Sequence, residues 1–263
     1  MLLEGKNAVV YGGGGNVGGA VCRAFAREGA RVFIAGRTPG PMEEVAADIS
    51  ASGGQAETAL LDALDERAVD EHADAIAEKA GGIDISFNAV DYGDVHGTPV
   101  LEMPYNDFFD PITTAIRAHF LIARAAARHM APRGSGVILT ITATTARHAI
   151  PEVGGTFVRF DATESLCRQL ATELGPSGIR VAWLQTTGLP ETLQDTGVPV
   201  PDYGIGTGGR TLAEHIVWMQ NKTMLKRLTS LRDVADVAAF LASDHASAMT
   251  ATGANLSCGS IPG

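Results

Sequence analysis

The chain has 263 residues, 45% of them hydrophobic and 19% charged, enough to bury a substantial core within one domain. Its formal net charge of −10 argues against a nucleic-acid or anionic-membrane partner. The 31 glycines fall at scattered turns and form no repeat, which excludes a fibrous or low-complexity chain.

The first half alternates short apolar runs with stretches of helical period. "NAVVY" (7–11) predicts a buried strand and 17–28 a helix; "RVFIAG" (31–36) predicts a strand and 41–52 a helix ending near Gly53-Gly54. "AETALL" (56–61) is a strand, 65–80 a helix closed by Gly81-Gly82, and "IDISFNAV" (83–90) a strand. In the second half a helix is expected over 105–131, a strand over 136–142, a helix over 155–174 stopped by "LGPSG", and a strand over 179–186. Residues 188–210, rich in Gly, Pro and Thr, predict a lid segment, followed by helices near 211–222 and 231–242 and a last strand near 253–257. Continuous apolar strands joined by amphipathic helices indicate a parallel sheet covered on both faces. The expected fold is therefore α/β: a single doubly wound domain over 1–263, with about seven parallel strands and a substrate lid at about 188–225.

Three widely separated cysteines, Cys22, Cys167 and Cys258, have no metal-binding spacing and read as reduced thiols of a cytosolic compartment. The opening "MLLEGKNAVV" carries Glu4 and Lys6 where a signal segment needs apolar residues, and no run reaches the roughly 18 apolar residues of a membrane helix. A soluble, cytoplasmic protein without a metal site is expected.

The stretch "VVYGGGGNVGGA" (9–20) admits two fingerprints. Gly13-Gly14-Gly15-Asn16-Val17-Gly18 satisfies G-x-G-x-x-G, whereas Gly12-x-x-x-Asn16-x-Gly18 is a G-x-x-x-G-x-G whose middle glycine is asparagine. Either way the loop follows a strand and opens a helix, where backbone N–H groups and the helix dipole favour a pyrophosphate. Asparagine tolerates a left-handed backbone better than other side-chain-bearing residues, so Asn16 need not break the loop.

The rest of the chain settles the register. "IDISFNAV", "GVILTITATT", "LATELGPSGIRVAWL" and the closing "DVADVAAFLASDHASAMTATGANLSCG" follow the glycine stretch in order and spacing. Together they resemble the short-chain dehydrogenase/reductase family from end to end. The family pattern T-G-x-x-x-G-x-G puts Tyr11 on the threonine and Asn16 on the middle glycine, so the second register holds. The resemblance implies a Rossmann domain that binds a nicotinamide dinucleotide through Gly12, Gly15, Asn16, Val17 and Gly18. Asp62, beside Ala63, falls where a family aspartate meets the adenine. Asn88 and Ala89 match the start of N-N-A-G, while Asp91 stands in place of its glycine. Thr186-Thr187-Gly188 corresponds to the P-G turn, and Thr192 falls near the threonine of the cofactor amide if one residue is inserted.

At the end of the second strand an acid would bind the ribose 2′-hydroxyl of NAD. Here Gly36 occupies that place and Arg37 follows, a guanidinium able to pair with a 2′-phosphate. NADP(H) is therefore expected over NAD(H), although a surface arginine after a strand is the plain alternative.

The catalytic half departs from the family. Its usual Asn-Ser-Tyr-Lys set supplies a proton from a phenol whose pKa a lysine lowers, while serine polarises the carbonyl. Aligned on "LATELGPSGIRV", the tyrosine position is Thr156, the lysine position Phe160 and the serine position Ala143; the asparagine position is Ala115. No Y-x-x-x-K occurs, and no lysine lies between Lys79 and Lys222. Threonine is far too weak an acid to act as tyrosine does, and Phe160 cannot bind ribose hydroxyls, removing two hydrogen bonds of ~1.5–3 kcal/mol each. The remaining catalytic candidates are His148 on the loop before the helix, and Thr144 and Thr156, which can orient a carbonyl or imine. Asp91, Tyr92 and His96 form a polar cluster after the fourth strand, near the nicotinamide end, but fit an ordinary polar loop better. Arg159, one residue before Phe160, is assigned to another helix face and left out. Lys222, Lys226 and Arg227 could reach an anionic substrate from the lid but fit a solvated helix face better.

Two functions follow. One is an NADP(H)-dependent oxidoreductase with a non-standard site, passing hydride to an activated small molecule such as an enone, quinone or imine, or to a carbonyl. The other is a nucleotide-binding protein without redox chemistry: a sensor, a partner subunit or a catalyst of another reaction. The resemblance also implies a homo-oligomer, dimer or tetramer, built on helices 105–131 and 155–174.

Overall fold

The computed structural model describes residues 1–144, 151–193 and 208–261. Seven strands are seen: β1 (Asn7–Tyr11), β2 (Arg31–Gly36), β3 (Gln55–Leu60), β4 (Ile85–Asn88), β5 (Gly136–Ala143), β6 (Ile179–Thr186) and β7 (Thr252–Leu256). All pair in parallel, in the order β3-β2-β1-β4-β5-β6-β7. The helices are α1 (Asn16–Arg27), α2 (Pro39–Ala51), α3 (Glu66–Ala80), α4 (Tyr105–Met130), α5 (Thr156–Leu174), α6 (Leu212–Lys222) and α7 (Leu231–Ala242). This is the expected doubly wound domain.

Alternation along each strand divides the core in two. Ala8, Val10, Ile34, Phe87, Leu139 and Leu184 face α1, α2 and α7, whereas Val9, Tyr11, Phe33, Ile138 and Val181 face α3, α4 and α5. Phe25 of α1 meets Phe87 edge to face, ring centroids 6.2 Å apart, so Phe87→Ala would cost ~3–5 kcal/mol through the cavity left behind. On the second face α4 is rich in buried alanines (Ala118, Ala123, Ala125, Ala126), which lets it lie close to its neighbours. Only the edge strands β3 and β7 carry mainly exposed or half-buried residues.

Local signals explain where elements begin and end. The Asp65 side chain accepts the Ala68 N–H and starts α3, and Gly81, with φ of 81°, ends it. Capping boxes Thr211/Glu214 and Ser230/Asp233 start α6 and α7. Most boundaries lie within a residue or two of the sequence reading, and two of the shifts have a local cause. The second helix starts at Pro39 because proline is well suited to a first helical turn. β4 stops at Asn88 instead of residue 90, because Asn88 Oδ1 accepts the Val90 N–H at 3.0 Å and turns the chain out of the sheet. Of the segment expected as a lid, residues 194–207 lie outside the described residues; Pro190–Thr192 form a short 3-10 turn, and α6 has no fully buried residue. Among the described residues no helix is long and apolar enough to cross a membrane, and the three cysteines are free.

Candidate functional site

The strand order reverses between β1 and β4, and ligands of such sheets bind in the crevice beyond the carboxyl ends there. At that place Gly12 and Gly13 donate to Ala35 O at 2.8 and 3.2 Å, folding the glycine loop over the end of β2. Gly12 has φ of 76°, and a Cβ on it would lie 2.5 Å from Ala89 O. A Cβ on Gly18 would lie 2.2 Å from Gly12 O. Those two glycines are therefore demanded by the backbone itself, in the register with Asn16 between them. Asn16 is the first residue of α1 and is not left-handed; its tolerance of that conformation is not what admits it. It needs only to start a helix.

Gly15 is the N-cap of α1, with no side-chain cap and no acid in the first turn. The positive end of the helix thus stays open toward the crevice, as an anion would require. A cleft of about 290 Å³ lies there. The glycine loop (Gly12, Gly14, Gly15) forms one wall, Arg37 its rim, Asp62 and Ala63 the far side, and Ala89 the side toward β4. Arg37 is exposed and has no ion-pair partner among the described residues. Asp62 accepts the Leu64 N–H at 3.0 Å, fixing its turn.

Beyond Ala89-Val90-Asp91, which line both spaces, a second cavity of about 170 Å³ extends between Val17 of α1, Ala115 of α4 and Phe160 of α5. Its polar wall is Asn88, Tyr92, His119 and Arg159. The Asn88 amide donates to the Tyr92 hydroxyl at 2.8 Å and contacts His119 Nδ1. Burial, aided by the Arg159 charge, holds the His119 imidazole down at about 3, so it is neutral and suited to accept that amide hydrogen. Burial pushes the Tyr92 phenol well above its ordinary range, against the lowering effects of the Asn88 hydrogen bond and Arg159.

The placement of Arg159 corrects the sequence reading. The residue is only 6% exposed, lines the second cavity together with Phe160, and stacks its guanidinium over the Phe160 ring at 4.3 Å. Its Nη2 pairs with Asp94 Oδ2 at 2.7 Å, while Arg159 Nε and Asp94 Oδ1 are buried without hydrogen-bond partners. Neither Asp94 nor His119 stood out in the sequence. His119 lies one helical turn after Ala115, the sole hint available there.

The other sequence candidates fall as follows. Thr156 is the first residue of α5, buried, with Oγ1 2.9 Å from His96 Nε2. Thr144 follows β5, and its N–H donates to Thr186 O at 2.8 Å. His148 lies outside the described residues. Thr187, just after β6, has a buried Oγ1 with no hydrogen-bond partner. Gly188 faces Met219 of α6, whose Sδ would be 3.2 Å from a Cβ there, so α6 reaches back to the end of β6. The Thr192 hydroxyl is engaged by Leu189 O at 2.8 Å. Beneath Ala143 a further polar group is buried: Thr142 and Gln185 both donate to Glu164 Oε1, at 3.0 and 2.7 Å.

The comparisons with known proteins bear on the family and the fold. Residues 14–260 match a family model described as enoyl-(acyl carrier protein) reductase. An uncharacterized oxidoreductase of Bacillus subtilis is 33% identical over 252 residues, covering 94% of this chain and 88% of its own. A solved 7α-hydroxysteroid dehydrogenase, complexed with NADH and 7-oxo glycochenodeoxycholic acid, is 28% identical with a TM-score of 0.83 and covers 98% of this chain and 94% of its own. Carveol dehydrogenase from Mycobacterium avium shares the fold, with a TM-score of 0.87 over 98% of each chain at 22% identity. An open helix end over a glycine loop, set at the switch point of a seven-stranded parallel sheet and matched along nearly its whole length by such relatives, leaves one assignment: the chain belongs to the short-chain dehydrogenase/reductase family.

Proposed function

We propose that this chain is an NADP(H)-dependent oxidoreductase with a non-standard active site, acting on a small molecule with an activated acceptor (enone, quinone or imine) or a carbonyl. The observation that carries the reading is the cleft between the glycine loop and Arg37, open to the uncapped end of α1. A dinucleotide fits these residues. The pyrophosphate belongs beside Gly15 on the backbone N–H groups of Asn16, Val17 and Gly18, the Gly15 N–H being engaged by Gly12 O, and the adenine against Asp62 and Ala63. Arg37 is placed to pair with a 2′-phosphate. The nicotinamide end belongs with Val17, Asn88 and Ala89 and with Thr187, Gly188 and Thr192, where the partnerless Thr187 hydroxyl is suited to a carboxamide. The related 7α-hydroxysteroid dehydrogenase binds NADH, which supports a nicotinamide cofactor and leaves the 2′-phosphate to Arg37 alone.

When bound, the reduced nicotinamide supplies hydride. The protein's part is then to hold the acceptor, exclude water and provide a proton to its oxygen or nitrogen. Thr144, Thr156 and His148 are the candidates for holding and protonating it, with residues 188–225 as the lid. The exposed Phe109, Phe120 and Val158 on α4 and α5 support a homo-oligomer built on these helices, and the free cysteines suit a reducing, cytoplasmic setting.

The test is direct. NADPH should raise the melting temperature more than NADH, and NADPH should be oxidised by at least one member of a panel of ketones, enones, quinones and imines. A chain that binds NADPH and oxidises none of them is instead a nucleotide-binding protein without redox chemistry. A chain whose melting temperature responds to neither nucleotide loses both readings.

A further inference from the structure

The buried Thr156 hydroxyl has an imidazole behind it. His96 lies on the loop after β4, sixty residues earlier, and its Nε2 is 2.9 Å from Thr156 Oγ1. The backbone on both sides of the pair is locked. The Gly97 N–H donates to Glu152 O at 2.7 Å, joining the histidine loop to the segment before α5. Gly154, with φ of 56°, would place a Cβ 2.7 Å from Val95 O, and Gly155 would place one 2.2 Å from Phe108 O. Two consecutive positions thus exclude a side chain so that the loop, α4 and the head of α5 can meet.

Thr156 also faces the right way. Thr156, Phe160 and Thr163 are spaced i, i+4 and i+7, which puts them on one face of α5, and the last two line the second cavity. The threonine therefore stands one turn before Phe160 on that face, on the side toward the loops, without itself lining the cavity. His96 itself is exposed, so the ring can exchange protons with water while its Nε2 addresses a buried hydroxyl.

Resting on the oxidoreductase reading above, we propose that Thr156 delivers the proton to the substrate oxygen and that His96 replaces it. The substrate carbon receives two electrons as hydride, the carbonyl π pair moves onto oxygen, and that oxygen takes the hydrogen of Thr156 Oγ1. In the same movement His96, reacting as the imidazolium, passes the proton on Nε2 to Thr156 Oγ1, and the ring, left neutral, takes up a proton from solvent. The threonine never carries a charge, which removes the objection that its hydroxyl is too weak an acid on its own. Thr156 is then the catalytic residue and His96 acts through it.

The experiment combines turnover with two readouts taken without it. With the best acceptor from the panel, His96→Gly and Thr156→Val should each lower kcat about 100-fold while KM and the NADPH Kd stay within about twofold. Thr156→Ser should keep kcat within about threefold of wild type, and free imidazole should restore turnover to His96→Gly but not to Thr156→Val. In the nucleotide-free chain, the 15N resonance of His96 Nε2 should show a hydrogen bond that Thr156→Val removes and Thr156→Ser keeps. If His96→Gly turns over within threefold of wild type, or if its loss ignores imidazole, the relay is overturned and the oxidoreductase reading stands. If wild type binds NADPH and turns nothing over, both fall together.

Discussion

The two chambers on either side of Ala89 are built on opposite principles. The outer cleft is made of backbone: glycines whose Cβ atoms would collide, N–H groups at an uncapped helix end, and one rim arginine. The inner cavity is made of side chains brought from β4, its following loop, α4 and α5, with a buried ion pair and a neutral histidine. A backbone site tolerates almost no substitution at a few positions and nearly any elsewhere. A side-chain site can exchange its members, provided buried polar groups keep partners. That difference lets the outer cleft hold to its glycine pattern while the inner one is free to change its side chains.

The comparison is broken most sharply at Gly12. Gly12→Ala puts a methyl 2.5 Å from Ala89 O at a left-handed φ. It should abolish the melting-temperature response to NADPH and lower unfolding free energy by ~1–3 kcal/mol in urea titration. A response left intact would mean the cleft is not backbone-built. At the inner chamber Arg159→Met should destabilise by ~1–3 kcal/mol, because the half-buried Asp94 is left unpaired, and adding Asp94→Asn should recover most of that loss. If the single variant is neutral, the pair is not a structural fixture of the cavity.

The histidine sharpens the contrast through pH. Unfolded, the His119 imidazole titrates near 6.5; folded, it titrates at about 3. The unfolded chain therefore binds the extra proton between these values, so stability is full above about pH 6.5 and falls as pH drops toward 3. His72, lowered by burial to about 4, acts with the same sign. Urea titrations of wild type and His119→Gln at about pH 7 and pH 5 should show a smaller loss in the variant. The smallest effect belongs to the rim: Arg37→Ala should weaken NADPH about tenfold and leave NADH nearly unchanged, read by fluorescence titration. Equal weakening of both would assign Arg37 a general electrostatic role.

Legibility in the sequence followed the same division. The strands and helices were readable because apolar runs and helical periods are local, and capping residues such as Asp65 and Gly81 mark their ends in place. The glycine register was not readable from the loop alone, which fits two fingerprints, and took the pattern of the rest of the chain to settle. Asn16 was admitted there for a conformation it does not adopt. The inner cavity was not readable. Asp94 and Arg159 are 65 residues apart, as His96 and Thr156 are 60, and no local pattern announces that they meet. Counting residues from Phe160 even argued against Arg159, because a long guanidinium can stack over its neighbour's ring and share a cavity with it. The resemblance assigned Ala143 and Phe160 to positions of the usual catalytic groups and gave no sign of what stands nearby.

One short stretch belongs to both chambers. The Ala89 carbonyl lies against Gly12, and Ala89, Val90 and Asp91 form the partition between the cleft and the cavity. A ligand that displaced this partition from one side would change the room available on the other, and linkage would make the effect reciprocal: whatever factor an occupant of the cleft imposed on affinity in the cavity, an occupant of the cavity would impose on the cleft.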